Sequence, residues 1–131
     1  MSYIVVSDIT NALFSRIQDA DIKQAYIDKA NGEAESFAQA KGIIDPSNIQ
    51  TSPLNSTFKE YLINYALYMF AGDYIGINDV EVTDGDVYKQ LFERSLFLIN
   101  RYKPEITYEM ITGTVGDASG RAVSFGRLVR R

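Results

Sequence analysis

The sequence predicts an all-α protein: a small bundle of about four helices followed by an extended C-terminal arm. Three observations lead there. Apolar residues recur at three- and four-residue steps through several long segments, which is the spacing of one helix face. Ala30, Ala34 and Ala38 line one such face with small side chains, a pattern that lets a neighbouring helix approach closely. After Ile111 the periodicity stops and a glycine-rich stretch begins. The 131 residues suit one domain, with 1–112 as the helical bundle and 113–131 as a flexible or extended arm. At 46% hydrophobic and 23% charged, the chain can bury a core without disulfides or metals.

The first helix is short. Ser7 or Asp8 can cap it, and Ile9, Leu13 and Phe14 follow at helical spacing, with Ile17 continuing the apolar contact. The second runs from about Asp21 to Ala40. Its face is Ile22, Tyr26, Ala30, Ala34, Phe37 and Ala38, and Gly42 can stop it. Residues 43–55 then form a loop rich in turn formers, including Pro46 and Pro53, and Ile43, Ile44, Ile49 and Leu54 can tether it to the core. The third helix runs from about Thr57 to Ala71, with Thr57 and Glu60 at capping-box spacing. Phe58, Tyr61, Leu62, Tyr65 and Met69 supply its apolar face, which Phe70 can extend, and Gly72-Asp73 mark an end or a kink. Residues 74–77 are expected to pack irregularly, before a polar, acidic loop over 78–86. The fourth helix spans about Gly85 to Tyr102, with Tyr88, Leu91, Phe92, Ser95, Leu98, Ile99 and Tyr102 as its stripe. Pro104 stops it or opens a last short turn reaching Ile111. Leu67, Phe70 and Phe97 are candidates for exposure and for contact with neighbours.

Several classes of function are disfavoured by what the chain lacks. It has no Cys and no His, which removes thiolate chemistry, the commonest general base and the commonest transition-metal ligand. The expectation is a protein without enzymatic activity, catalytic residues, metal or cofactor. No segment approaches the roughly 20 apolar residues that span a bilayer. The most apolar stretch, Tyr61 to Ile77, is interrupted by Asn64, Gly72 and Asp73. The first eight residues lack the positive region of a signal peptide, so no membrane association and synthesis in the cytoplasm are expected.

Two motif-like stretches have plain explanations. Asp79, Glu81, Asp84 and Asp86 miss the calcium-loop spacing and read as a solvated loop that caps the fourth helix. The run from Gly113 to Gly120 lacks a phosphate loop's spacing and its Lys-Ser/Thr pair, and reads as a hinge. The nine Tyr and seven Phe fall mostly on the apolar faces above, so core packing is their default role.

Charge is distributed unevenly. Residues 113–131 hold four arginines against Asp117, a net +3, whereas the first 112 residues hold nine Lys/Arg and sixteen Asp/Glu, a net −7. The arm arginines admit three readings: contact with nucleic-acid phosphates, pairing with carboxylates of a protein partner, or a solvated terminus. Interleaved Val123, Phe125, Leu128 and Val129 favour the protein partner, because a strand-like arm that docks on protein uses alternate apolar residues. The candidate partner-binding residues of the arm are therefore Arg121, Val123, Phe125, Arg127, Leu128, Arg130 and Arg131.

The order of elements resembles a family. A short helix, Asp8 to Phe14, is followed by the small-residue helix Ala25 to Ala40. The helix Phe58 to Tyr68 and the long helix beginning Asp86-Val87-Tyr88-Lys89-Gln90-Leu91-Phe92 come next, and a tail ends the chain. This layout is similar to the head–tail connector (adaptor, head-completion) proteins of tailed bacteriophages. The resemblance implies a structural subunit of the virion's head–tail junction, assembled from host cytoplasm into a homo-oligomeric ring, a dodecamer in that family. It also implies a portal protein and a downstream tail or stopper protein as partners, with packaged DNA passing through without specific binding. An acidic body suits such a channel, because like charges repel the duplex. The alternative is a small helical DNA-binding regulator with a basic C-terminal arm. It would require Asp21 to Ala40 to belong to a helix-turn-helix, and the acidic Asp21, Asp28, Glu33 and Glu35 argue against entry into a groove.

Overall fold

A computed structural model describes residues 2–77 and 82–114 of the chain. Among these residues there are five α-helices: α1 (Ala12–Ser15), α2 (Ala20–Ala40), α3 (Ser56–Ile77), α4 (Val82–Tyr102) and α5 (Tyr108–Thr112). Short 3-10 turns at Val6–Asp8, Pro46–Asn48 and Lys103–Glu105 link them, and the described residues contain no strand. The architecture is the all-α bundle that the periodicity predicts.

The central element is α3, with α2 on one side and α4 on another. On the α2 side, Phe37 meets Phe58 and Tyr61 with ring centroids 5.9 and 5.2 Å apart, while Tyr26 meets Phe70 at 5.7 Å. Late residues of α2 therefore face early residues of α3, and the two helices run antiparallel. Ala30, Ala34 and Ala38 are fully buried in this seam, as their spacing predicts. On the α4 side, Tyr68 stacks on Phe92 at 4.8 Å and Tyr74 on Tyr88 at 3.6 Å, so α3 and α4 form a second antiparallel pair.

A helix with a neighbour on two sides has little surface left for water. This explains why Leu67 and Phe70, read from sequence as exposed, are both buried. The third candidate, Phe97, is 64% exposed on α4. The central position also carries α3 past Gly72-Asp73, where the sequence suggests a stop, so that residues 74–77 are helical. Gly72 leaves room for the Phe92 ring, whose edge lies 3.2 Å from where a Cβ would stand. The Asp73 carboxylate accepts a hydrogen bond from the Tyr26 hydroxyl at 2.9 Å and lies 3.9 Å from Lys29 Nζ. Contacts to both neighbours thus override a local breaker pair whose propensity cost is only about 1 kcal/mol.

Capping differs in detail from the sequence reading. Asn11, not Ser7 or Asp8, caps α1 by accepting from Leu13 N and Phe14 N at 2.9 and 3.1 Å. Asp8 instead closes the preceding 3-10 turn on Val5 N at 2.8 Å and pairs with Lys59 at 3.3 Å. Asn55 caps α3 through Phe58 N at 3.1 Å, which places Thr57 inside the helix rather than at its cap. Helix α4 starts at Val82, three residues before the expected Gly85. The end of α2 is as predicted. Gly42 sits at φ +97°, its N–H bonds to Gln39 O and Ile43 N bonds to Ala38 O, both at 2.9 Å. This is the paired closure that a left-handed residue makes possible.

Both flanks are tied to the bundle. Tyr3 and Ile4 are buried, and the Asn31 side chain of α2 accepts from both of their N–H groups at 3.0 Å while donating to Ile4 O at 3.3 Å. Asn31 is itself 8% exposed, so it satisfies backbone groups that water does not reach. At the other flank, Gln50 N bonds to Ile111 O at 2.9 Å and joins the 43–55 loop to α5. Ile43, Ile49, Ile106 and Ile111 are buried there, with Leu54 half-buried, while Ile44 points outward at 73% exposure. Ile22, placed on the core face from its spacing, is 48% exposed because the first turn of α2 borders a cleft rather than the core.

Candidate functional site

The residues to which the sequence assigns partner binding, Arg121, Val123, Phe125, Arg127, Leu128, Arg130 and Arg131, lie outside the described residues. What is described is the root from which that segment leaves. Thr107 caps α5 through Met110 N at 3.2 Å, and Gly113 ends it at φ +75° with its N–H on Glu109 O at 2.8 Å. The left-handed φ at Gly113 favours glycine, and a Cβ there would also displace the end of the Gln50 side chain. Pro53, Leu54 and Met110 line a shallow cleft of about 650 Å³ beside Gly113 and Thr114. Gly113 and Thr114 therefore lie at the end of the bundle where α3 begins.

At the opposite end, a second cleft of about 420 Å³ lies between α1, the start of α2, the end of α3 and the start of α4. Its wall is mainly apolar, with Leu13, Ile17, Ile22 and Phe70, and Arg16 stands among them. Tyr26, Tyr74 and Tyr88 also line it. Phe70 makes edge contacts with Phe14 at 5.4 Å, Tyr26 at 5.7 Å and Tyr88 at 5.6 Å.

Most tyrosines pack in or against the core, as their spacing suggests, and some add a polar contact. Three of them hand their hydroxyl hydrogens to carboxylates. Tyr3 donates to Glu35 at 3.0 Å, Tyr26 to Asp73 at 2.9 Å, and Tyr61 to Glu33. Burial, then the hydrogen bond to Asp73, pushes the Tyr26 phenol up to about 12. The same two causes, in the same order, raise Tyr3 and Tyr61 further. These phenols remain protonated donors at neutral pH and act as polar clips between elements, not as acids or bases. A carboxylate spaced so that a tyrosine of the next helix can reach it was the available sequence signal, but only the antiparallel register reveals the pairing.

The outer faces of α2 and α4 carry different chemistry. On α2, Asp28 and Gly32 are exposed, Glu35 is half-buried, and together with Ser2 and Asn31 they border a groove of about 370 Å³. On α4, Arg94 and Arg101 are exposed on either side of Phe97. Among the described residues no group of His, Cys, Asp and Glu is arranged to hold a metal ion. Nor is any helix among them long and apolar enough to cross a membrane. Comparison with protein-family profiles, with curated proteins and with solved structures returns no match.

Proposed function

We propose that the chain is a structural subunit of a viral head–tail connector ring that docks on the portal and forms part of the DNA channel. The observation that carries this reading is the layout of the bundle. A short first helix, a small-residue helix seated on a central helix, and a closing antiparallel helix follow the order on which the family resemblance rests. In sequence, a basic and partly apolar segment follows Gly113 after an acidic body. The polar groups of α2 support the same reading. Glu33, Glu35 and Asn31 are engaged in holding tyrosines and backbone in place, as a scaffold requires.

The regulator reading has less support. A helix-turn-helix joins its two helices at a wide angle through three or four residues, whereas α2 and α3 lie antiparallel across a 15-residue connection. The exposed Asp21 and Asp28 would also face the phosphates.

Deletion of Arg121 to Arg131 tests the proposal. The shortened protein is expected to keep its helical circular dichroism and melting temperature and to lose binding to a portal ring. Unchanged binding would remove the arm from the proposal, and unfolding of the body would show that the arm belongs to the core.

A further inference from the structure

The outer faces of α2 and α4 are complementary in charge, shape and register. On α2 the sequence places Asp28, Gly32 and Glu35 on one face, four and three residues apart. On α4 it places Arg94, Phe97 and Arg101 on one face, three and four residues apart. The two patterns are mirror images, so they match when the helices run antiparallel. In that register Arg94 meets Glu35, Phe97 meets Gly32, and Arg101 meets Asp28. At about 1.5 Å rise per residue, the charged pairs lie about 10.5 Å apart on both helices. No like-charged residues come opposite each other, and Gln90 falls opposite Gln39.

The geometry provides the space that this register needs. Nothing stands within 4 Å of where a Cβ on Gly32 would be, so the groove beside it is open. Phe97 is a large apolar side chain left 64% exposed among the described residues. A glycine opposite a ring lets two helices approach closely while the ring fills the slot.

We propose that the Arg94–Phe97–Arg101 face of α4 in one copy seats antiparallel on the Asp28–Gly32–Glu35 groove of α2 in a second copy. The two surfaces are different patches of the same chain. The α2 groove borders Ser2, whereas the flank of α2 facing α4 is marked by Glu33, Ser36 and Ala40 beside Asn100 and Lys103. A contact between two different patches is heterologous. It repeats from copy to copy and closes into a ring where the rotation allows. This inference deepens the connector reading, which supplies the expectation of self-assembly, by naming the surface through which copies meet.

The test uses the absence of native cysteine. Full-length Gly32→Cys and Phe97→Cys chains are mixed under mild oxidation. A disulfide-linked dimer containing one of each is expected, and Ile44→Cys, on an exposed loop, is expected not to link to Phe97→Cys. Equal linkage to both positions, or none to Gly32→Cys, overturns the contact. A charge swap provides the second arm. Asp28→Lys and Arg101→Glu should each weaken self-association by at least tenfold in sedimentation, and the double variant should restore it. Failure of the double variant to restore it also overturns the contact. The two proposals fail separately. Linked copies that never bind a portal ring leave this contact standing and remove the connector reading. A portal-bound ring without the 32–97 link does the reverse.

Discussion

The two seams of α3 are held together in different ways. Toward α2 the bundle sets the buried alanines of α2 beside ring contacts of Phe37 and Tyr26, and it is clipped by Tyr26–Asp73 and Tyr61–Glu33 across the seam. Toward α4 rings meet rings, in the Tyr68–Phe92 and Tyr74–Tyr88 stacks, with Gly72 admitting the Phe92 edge. The first kind of seam fixes register through hydrogen bonds at defined positions and tolerates no added volume. The second relies on contact area and ring geometry, which is worth about 0.5–1.5 kcal/mol per pair beyond burial. One consequence is that α2 presents a fixed pattern of side chains to the outside, a property that a repeating assembly contact requires.

Phe70 belongs to both seams, because it touches Tyr26 of α2 and Tyr88 of α4. Phe70→Ala is therefore expected to cause the largest loss of stability, about 3–5 kcal/mol, in denaturant unfolding. A loss below about 1 kcal/mol would mean that the seams do not share this residue. Ala34→Leu acts on the α2 seam alone. It is expected to cost about 1–3 kcal/mol by overpacking a position with no exposed surface. An unchanged melting temperature would place the alanine stripe outside the seam.

Alkaline pH separates the seams more gently. The clipped phenols hold their protons more tightly when folded than when unfolded. Their contribution is therefore full below about pH 10, the ordinary tyrosine value, and for Tyr26 it is lost as pH rises through about 12. The melting temperature should fall over this window, and Tyr26→Phe should flatten part of the fall. A fall of the same steepness in Tyr26→Phe would deny the Tyr26–Asp73 clip this role. The smallest expected effect is favourable. Gly32→Ala meets open space on the outer face of α2 and should stabilise the monomer by up to about 1 kcal/mol through helix propensity. A loss of stability would mean that the groove at Gly32 is already filled.

The difference between the seams also explains what could be read from the sequence. The alanine stripe repeats every four residues and names its own partner face, so α2 and its glycine stop were legible. The length of α3 was not. Gly72-Asp73 looks like a terminus locally, and only the Phe92 ring and the Tyr26 hydroxyl, distant in sequence, make it helical interior. Leu67 and Phe70 were misplaced for a related reason: a helix packed on two sides loses the polar face that orients a periodicity argument. Asn31 gave no signal, since a single Asn in a helix does not announce that it receives the backbone of residues 3 and 4. Of the candidate site, the arm was named from charge and alternation alone. The matching faces of α2 and α4 emerged only once exposure showed which side of each helix turns outward.

Assembly is the proposed role of this chain, and a mass measurement checks it. The purified full-length protein is measured alone and mixed with a portal ring. The expected result is a discrete higher-order species on the portal whose mass is the portal ring plus a whole-number multiple of the 14.7 kDa chain. A monomer mass under both conditions, with the portal ring unchanged, would contradict it.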